Sequence, residues 1–453
     1  MTVESADRLE RRLGVFSLTN IVVANMIGAG IFTTSGLLIS DLKSPLIMLL
    51  LWVVGGIIAL CGALSYSELG AAMPHAGGEY VFLSKLYHPV LGFLSGWVSF
   101  IVGFSAPIAA SSLGFSEYFF RAFPGLLFWS DPNGFLSAEL AKRVTAIIVV
   151  ALFTFVHLRG IVLGARIQNL LTVLKVALVV GLVAVGFAFG KGSAGNLLQG
   201  EPFVLDFGGW KTIGLSLMWI MFSYSGWNAS TYVGAEINNP EVNLPRSLLI
   251  GTAIVMLLYL CLNVLFVYAV PPLEMSGVIA IGGLAAGNLF GSGAETLFSM
   301  LISFALFSSL SAFIILGPRV YYAMAKDGYF FRSFSEIHPK YGVPAKAIIL
   351  QGCFSAVMVL SGTFDQILTY MGFSLGIFPL FAVMGVFKLR RRNTQVKVPG
   401  YPLVQVLYLL TGLFMLSLAF FERPAESSIA LLTVLVGIPA FIFMHRGKVS
   451  ARG

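Results

Sequence analysis

Charge is what this sequence is short of. Only 11% of its 453 residues are Asp, Glu, Lys or Arg, against about 25% in a soluble domain. So few charges exclude an ordinary soluble globular protein. Cysteine is nearly missing: Cys61, Cys261 and Cys353 each fall inside an apolar run, and no Cys-x-x-Cys occurs, which excludes an extracellular disulfide framework. The five histidines are scattered without metal-ligand spacing, so neither a metal nor a cofactor is expected. No Gly/Ser linker or charge tract divides the chain, which reads as one domain over 1–453. Also missing are a Gly-x-Ser-Gly nucleophile with a helix-borne histidine and a Gly-x-Gly-Asp motif with a second aspartate. An intramembrane protease, and an enzyme generally, is therefore not expected. No repeated filter or ring of charge suggests a channel.

What is there is hydrophobic. Apolar residues make 57% of the chain, in runs of the length needed to cross a bilayer, about 20 residues. Twelve spans are expected, at about 15–39, 45–72, 90–120, 142–158, 166–189, 210–235, 246–270, 292–325, 345–361, 364–388, 402–421 and 426–445. The fold class is an all-α integral membrane protein, its partner the lipid bilayer. Arg8, Arg11 and Arg12 precede an apolar stretch that is too long for a signal peptide and has no cleavage site. The net charge of +8 is no nucleic-acid footprint, because it is sorted by side. With the N-terminus inside, twenty of the 28 Lys and Arg fall on the inner side, among them Arg159, Arg166, Lys326, Arg332 and the run Lys388, Arg390, Arg391, Arg392. Seven fall outside, and Lys175 is left mid-membrane. This fits both termini cytoplasmic in a plasma (inner) membrane.

Two spans carry a flaw in the middle. The first contains Met26-Ile27-Gly28-Ala29-Gly30-Ile31-Phe32, with two poor helix formers one residue apart. The sixth contains Ser223-Tyr224-Ser225-Gly226-Trp227-Asn228. A broken helix in lipid survives only buried in protein or lining a polar cavity. The two breaks lie five spans apart, so the second unit crosses in the opposite sense, as in an inverted repeat with one broken helix per half. The repeats are expected at about 15–189 and 210–388, with the last two spans, 402–445, outside them.

Half-helix ends can read a zwitterion. Free N–H groups of Gly28, Ala29 and Gly30 at a positive helix end suit a carboxylate. Free carbonyls of Met26, Phe222 and Ser225 suit an ammonium. With Ile27, Tyr224, Gly226, Trp227 and Asn228 they make a candidate site for an α-amino acid, and Phe304 and Phe307 are candidates for its apolar wall. No acidic or basic residue is expected there to read a charged substrate side chain. A β-branched residue at Gly30 is expected to fill the substrate's place and to oppose any φ > 0 the break needs. Lys175, too central to reach the interface, is expected to donate to the freed carbonyls of the first span, standing where a coupled transporter would place Na⁺.

These stretches resemble the amino acid–polyamine–organocation superfamily, and within it the L-type amino-acid transporter family. The resemblance rests on residues 26–32, Lys175, Phe222 to Asn228 followed by Glu236 and Asn239-Pro240, and Gly317-Pro318-Arg319-Val320-Tyr321-Tyr322-Ala323-Met324-Ala325-Lys326-Asp327-Gly328. It covers about 10–400. It implies a five-plus-five inverted repeat plus two helices, Phe222 as a gate over the substrate, and Lys175 in place of sodium. The implied function is sodium-independent exchange of neutral L-amino acids; the alternatives are proton-coupled symport or transport of other amines or polyamines. Three departures stand out. Ala29 replaces the family's usual serine, and Asn228 stands where arginine/agmatine exchangers carry glutamate. The loop after the third span has no cysteine to join a heavy chain, so no heavy-chain subunit is expected.

Overall fold

Helix starts along the chain are written in local chemistry. Proline occupies the first turn of the helices beginning at Pro45, Pro89, Pro240 and Pro424, where its missing N–H costs nothing. Asp206 accepts from the Gly209 N–H at 2.7 Å, and Ser137 from the Leu140 N–H at 3.2 Å. The resulting computed structural model describes residues 11, 13–75, 77–127, 137–159, 161–392 and 397–450. Arg8, Arg12, residues 128–136 of the loop after the third span and 393–396 lie outside them, as does the side chain of Arg166.

The described chain is helical, with no β-strand. In order the helices are α1 (Val15–Met26), α2 (Ala29–Leu42), α3 (Pro45–Ala72), α4 (Glu79–Leu86), α5 (Pro89–Val98), α6 (Ser105–Ala122), α7 (Ala138–Leu158), α8 (Ile161–Phe189), α9 (Phe207–Ser223), α10 (Pro240–Ala269), α11 (Pro272–Met275), α12 (Ile281–Phe290), α13 (Ser292–Lys326), α14 (Ala345–Ser361), α15 (Phe364–Arg391), α16 (Leu403–Glu422) and α17 (Pro424–Ser450). Ten stretches among the described residues are long and apolar enough to cross a membrane. The expected sixth and ninth spans are the shorter ones, with α9 and α14 at 17 residues each.

Two spans differ from the expected form. The third is interrupted by a π-turn at Ser99–Gly103 between α5 and α6. Pro107 follows four residues later and has no N–H for the Gly103 carbonyl. The sixth does not resume as an α-helix after its break. Beyond Ser223 it continues as short 3₁₀ turns at Ala229–Tyr232 and Gly234–Glu236. Gly226 sits at φ +98°, and polar side chains take backbone partners: Thr231 Oγ1 donates to Asn228 O at 2.7 Å and Ser230 Oγ to Leu18 O at 3.0 Å. Such competition disfavours a regular helix.

The core surrounds the breaks. Trp52 meets Tyr224 and Tyr259 edge to face at 5.8 and 5.6 Å. At one end of the bundle the chain is tied across elements. Leu13 bridges to Ile237, Tyr80 Oη donates to Asp327 at 2.6 Å, and Arg390 holds Glu68 through two bonds of 2.7 and 2.6 Å.

Candidate binding site

The first break is short. α1 stops at Met26, Ile27 turns away (φ −70°, ψ 92°), Gly28 is extended (φ −132°, ψ −157°), and α2 resumes at Ala29. Neither Gly28 nor Gly30 uses positive φ, so the expectation about backbone freedom is corrected there. Close approach is the reason for glycine. A Cβ on Gly28 would stand 3.2 Å from Ser309 Oγ, and one on Gly30 only 2.5 Å from Ser223 Cα. A side chain at 30 collides with α9, so the two breaks are pressed together at this point. In the second break positive φ is in use, at Gly226, where a Cβ would come within 2.8 Å of Asn25 Cβ.

Side chains from distant helices satisfy the carbonyls that the first break frees. Lys175 Nζ, fully buried on α8, donates to Ala24 O at 2.8 Å and to Ser309 Oγ at 3.3 Å. Ser309 Oγ in turn donates to Ile27 O at 3.1 Å. The Tyr259 hydroxyl from α10 lies between Met26 O and Ser223 O, 3.0 Å from the latter. The carbonyls of Met26 and Phe222, expected free for an ammonium, are thus engaged once each, Phe222 O by the Ser225 N–H at 2.8 Å. Each keeps a second lone pair.

A cavity of about 120 Å³ opens beside the breaks. Of the expected site residues, Phe222, Ser225, Gly226, Trp227 and Asn228 line it. Met26, Ile27, Gly28, Ala29 and Gly30 do not; they form the packed seam behind it. Tyr224 also turns away. It caps the C-terminal end of α9, on the side toward α3, and its hydroxyl donates to Trp52 O at 3.2 Å. Phe304 is half-exposed, and Phe307 stacks on Phe115 at 4.7 Å, so neither is a wall of this cavity.

The sequence reading missed five polar groups of the lining: Asn25, Ser99 of the π-turn, Tyr232, Tyr408, and Glu79 at the start of α4. The last overturns the expectation that no acidic residue is near. Glu79 Oε1 accepts from Tyr66 Oη at 2.8 Å and Asn228 Nδ2 at 3.0 Å. Burial pushes its carboxyl up to about 7, the two donors pulling the other way. The one signal for it in the chain was Gly77-Gly78-Glu79, a carboxylate after two glycines in a segment that reads as a connection.

On the other side of α4 lies a larger vestibule, about 500 Å³, lined among others by His75, Tyr80, Lys85, His157, Glu236, Arg319, Lys326 and Asp327. Burial, and then the Lys85 charge, lower the pKa of His75; burial lowers that of Lys85. The first turn of α4 separates the two spaces, with Glu79 facing the inner cavity and Tyr80 the vestibule.

Residues 13–441 match the family model described as Amino acid permease. The serine/threonine exchanger SteT of Bacillus subtilis is 28% identical, covering 98% of both chains. The b(0,+)-type amino acid transporter 1 of Mus musculus is 26% identical over 96% of this chain and 88% of its own. The large neutral amino acids transporter small subunit 2 of Homo sapiens is 27% identical over 97% and 82%.

Proposed function

Because the chain belongs to the amino acid permease family of the amino acid–polyamine–organocation superfamily, and is a multi-pass membrane transporter rather than an enzyme, we propose that it exchanges small or medium neutral L-amino acids by alternating access, without sodium. The observation that carries this reading is the meeting of the two helix breaks at Gly30 and Ser223 beside a cavity lined by Asn25, Phe222, Ser225, Gly226 and Asn228. The N-terminus of α2 supplies the positive end for a carboxylate, and the C-termini of α1 and α9 the negative ends for an ammonium. Met26 to Gly30 then contribute backbone from the seam, and Phe222 covers the substrate. The cavity's size favours a compact substrate over a polyamine chain: about 120 Å³ compares with the roughly 150 Å³ that holds benzene.

Lys175 supports sodium independence. Its amino group is already seated on the first break's carbonyl at Ala24. The likeness to the Bacillus serine/threonine exchanger supports exchange. The architecture proposed with this function is twelve spans, with inverted repeats over 15–189 and 210–388 and the helices of 402–445 outside them. Both termini face the cytoplasm of a cell with the protein in its plasma membrane, and no heavy chain is required. A proton-coupled cycle is the second reading, and Glu79 is the observation that favours it.

Reconstitution of the purified protein into liposomes tests the function. Neutral amino acids are expected to enter against internal substrate equally well in Na⁺ and K⁺ media; a tenfold preference for Na⁺ overturns sodium independence. Methyl esters and N-acylated analogues are expected not to compete, since each removes one charge of the zwitterion. An ester as potent as the free acid overturns the helix-end account of carboxylate binding.

A further inference from the structure

Glu79 is the cavity group that neutral amino-acid exchange leaves unused. Its Oε1 is saturated by Tyr66 and Asn228, whereas Oε2 receives no hydrogen bond among the described residues, and the carboxyl borders the cavity. The residue is 8% exposed. A carboxylate so placed is costly unless something neutralises it.

Among the described residues no fixed cation does so. The ionisable groups facing it are Tyr66 from α3, Tyr232 from the sixth span and Tyr408 from α16. The cations of the neighbouring elements are placed elsewhere. Lys85, on α4 itself, lines the vestibule with His75. On α15, Lys388 lies over the Tyr87 ring at 5.1 Å, and Arg390 holds Glu68. On α13, Arg319 donates to Ile315 O and Lys326 lies over Tyr322 at 5.1 Å. Asp327, the acid at the end of α13, accepts from Tyr80. α5 carries no ionisable side chain.

The position is as informative as the charge. Glu79 and Tyr80 are adjacent on the turn that divides cavity from vestibule. That turn is fastened to the second break: the Gly77 N–H donates to Tyr232 O at 3.2 Å, and Gly78, at φ +52°, leaves only 2.9 Å between a would-be Cβ and the Tyr232 ring. Asn228 joins the carboxyl to the same segment.

We propose that Glu79 is a proton-binding site of the transport cycle, loaded at Oε2 from the water of the cavity, and that its neutral form is the one in which the cavity closes over substrate. This rests on the cavity being the substrate site. The step is a simple protonation. A hydronium ion gives its proton to Oε2, an O–H bond forms, water is left, and the reverse occurs on the opposite side. Oε1 keeps its two donors throughout, so loading needs no rearrangement of Tyr66 or Asn228. The sign follows: closing over the charged form strands a bare carboxylate, so transport falls as pH rises through the group's titration.

The experiment measures labelled L-alanine and L-serine exchange in proteoliposomes at equal internal and external pH, from about 5.5 to 8.5. Wild type is expected to lose close to tenfold in rate per pH unit above the midpoint. Glu79→Gln keeps an oxygen for the two donors and cannot ionise, so its rate is expected to be flat with pH, whatever its level. Glu79→Asp retains a carboxyl and is expected to shift the midpoint without abolishing the slope; it decides the matter if the glutamine variant does not fold, as judged by thermal unfolding in detergent. A wild-type slope persisting in Glu79→Gln overturns the proposal, as does an unshifted midpoint in Glu79→Asp. Loss of L-lysine competition in Glu79→Gln with the slope unchanged also overturns it, and makes Glu79 a reader of cationic side chains. Wild type that exchanges no amino acid at any pH fails the substrate reading instead.

Discussion

The two helix breaks solve one problem in opposite ways. The first, at Ile27 and Gly28, is short and returns at once to helix. Its freed carbonyls are met from afar, by Lys175 of α8, Ser309 of α13 and Tyr259 of α10. The second runs from Tyr224 to Asn239 without regaining an α-helix and satisfies much of itself locally, through Ser225 N–H to Phe222 O, Ala229 N–H to Gly226 O and Thr231 N–H to Asn228 O. The difference divides their tasks. A break held by remote donors is a rigid seam, and its residues are packed away from the cavity. A break that closes its own hydrogen bonds can present side chains to the cavity, as Phe222, Ser225 and Asn228 do. Substitution in the first is therefore expected to damage the fold or the cycle outright; substitution in the second tunes what the cavity does.

The largest expected effect tests the seam. Gly30→Val puts a branched side chain where a Cβ alone would be 2.5 Å from Ser223 Cα. Overpacking against backbone costs about 3 kcal/mol, so a lower thermal midpoint and no transport are expected; a wild-type midpoint would mean that the breaks are not in contact. Next is Lys175→Ala. It leaves Ala24 O without its donor in a dry site, at about 1–3 kcal/mol. Exchange is expected to fall by roughly tenfold or more, and unchanged turnover would reduce the lysine to packing. Thr231→Val removes one local bond, to Asn228 O, from a segment with several others. A cost of about 0.5–1.5 kcal/mol is expected, with exchange retained. A loss as large as that of Lys175→Ala would erase the contrast between the breaks. Smallest is Ala29→Ser, which keeps the backbone amide and adds only a hydroxyl at the seam, so unchanged KM and kcat are the expected result of a transport titration.

Much of this was legible because it is local. Spans appear as apolar runs, and the first break as two glycines whose helix propensity is poor in any context. Lys175 is conspicuous as a charge with no water near it, and its donation to a carbonyl of the first span follows from that. The second break was legible in place but not in form. Its glycine could be seen, whereas the capture of backbone by Thr231 and Ser230 needs the coordinates. Tyr224 shows the limit most directly. It lies between two residues that reach the cavity side of the break, yet its own direction is set by the last turn of α9 and by the Trp52 carbonyl.

By itself the sequence determined that this is a helical membrane protein, where its long apolar helices run, and where two of them break, since hydropathy and helix propensity act over neighbouring residues; the short helices α4, α11 and α12 and the π-turn of the third span were not legible. Only the tertiary structure decided which residues meet. Asn228 reaches Glu79 across 149 positions, Tyr259 reaches Met26 across 233, and Gly30 sits on Ser223. Such pairings arise from how buried helices stack, and no period or spacing in the chain encodes them. That is why a carboxylate in an apparent connecting loop became the ionisable wall of the cavity.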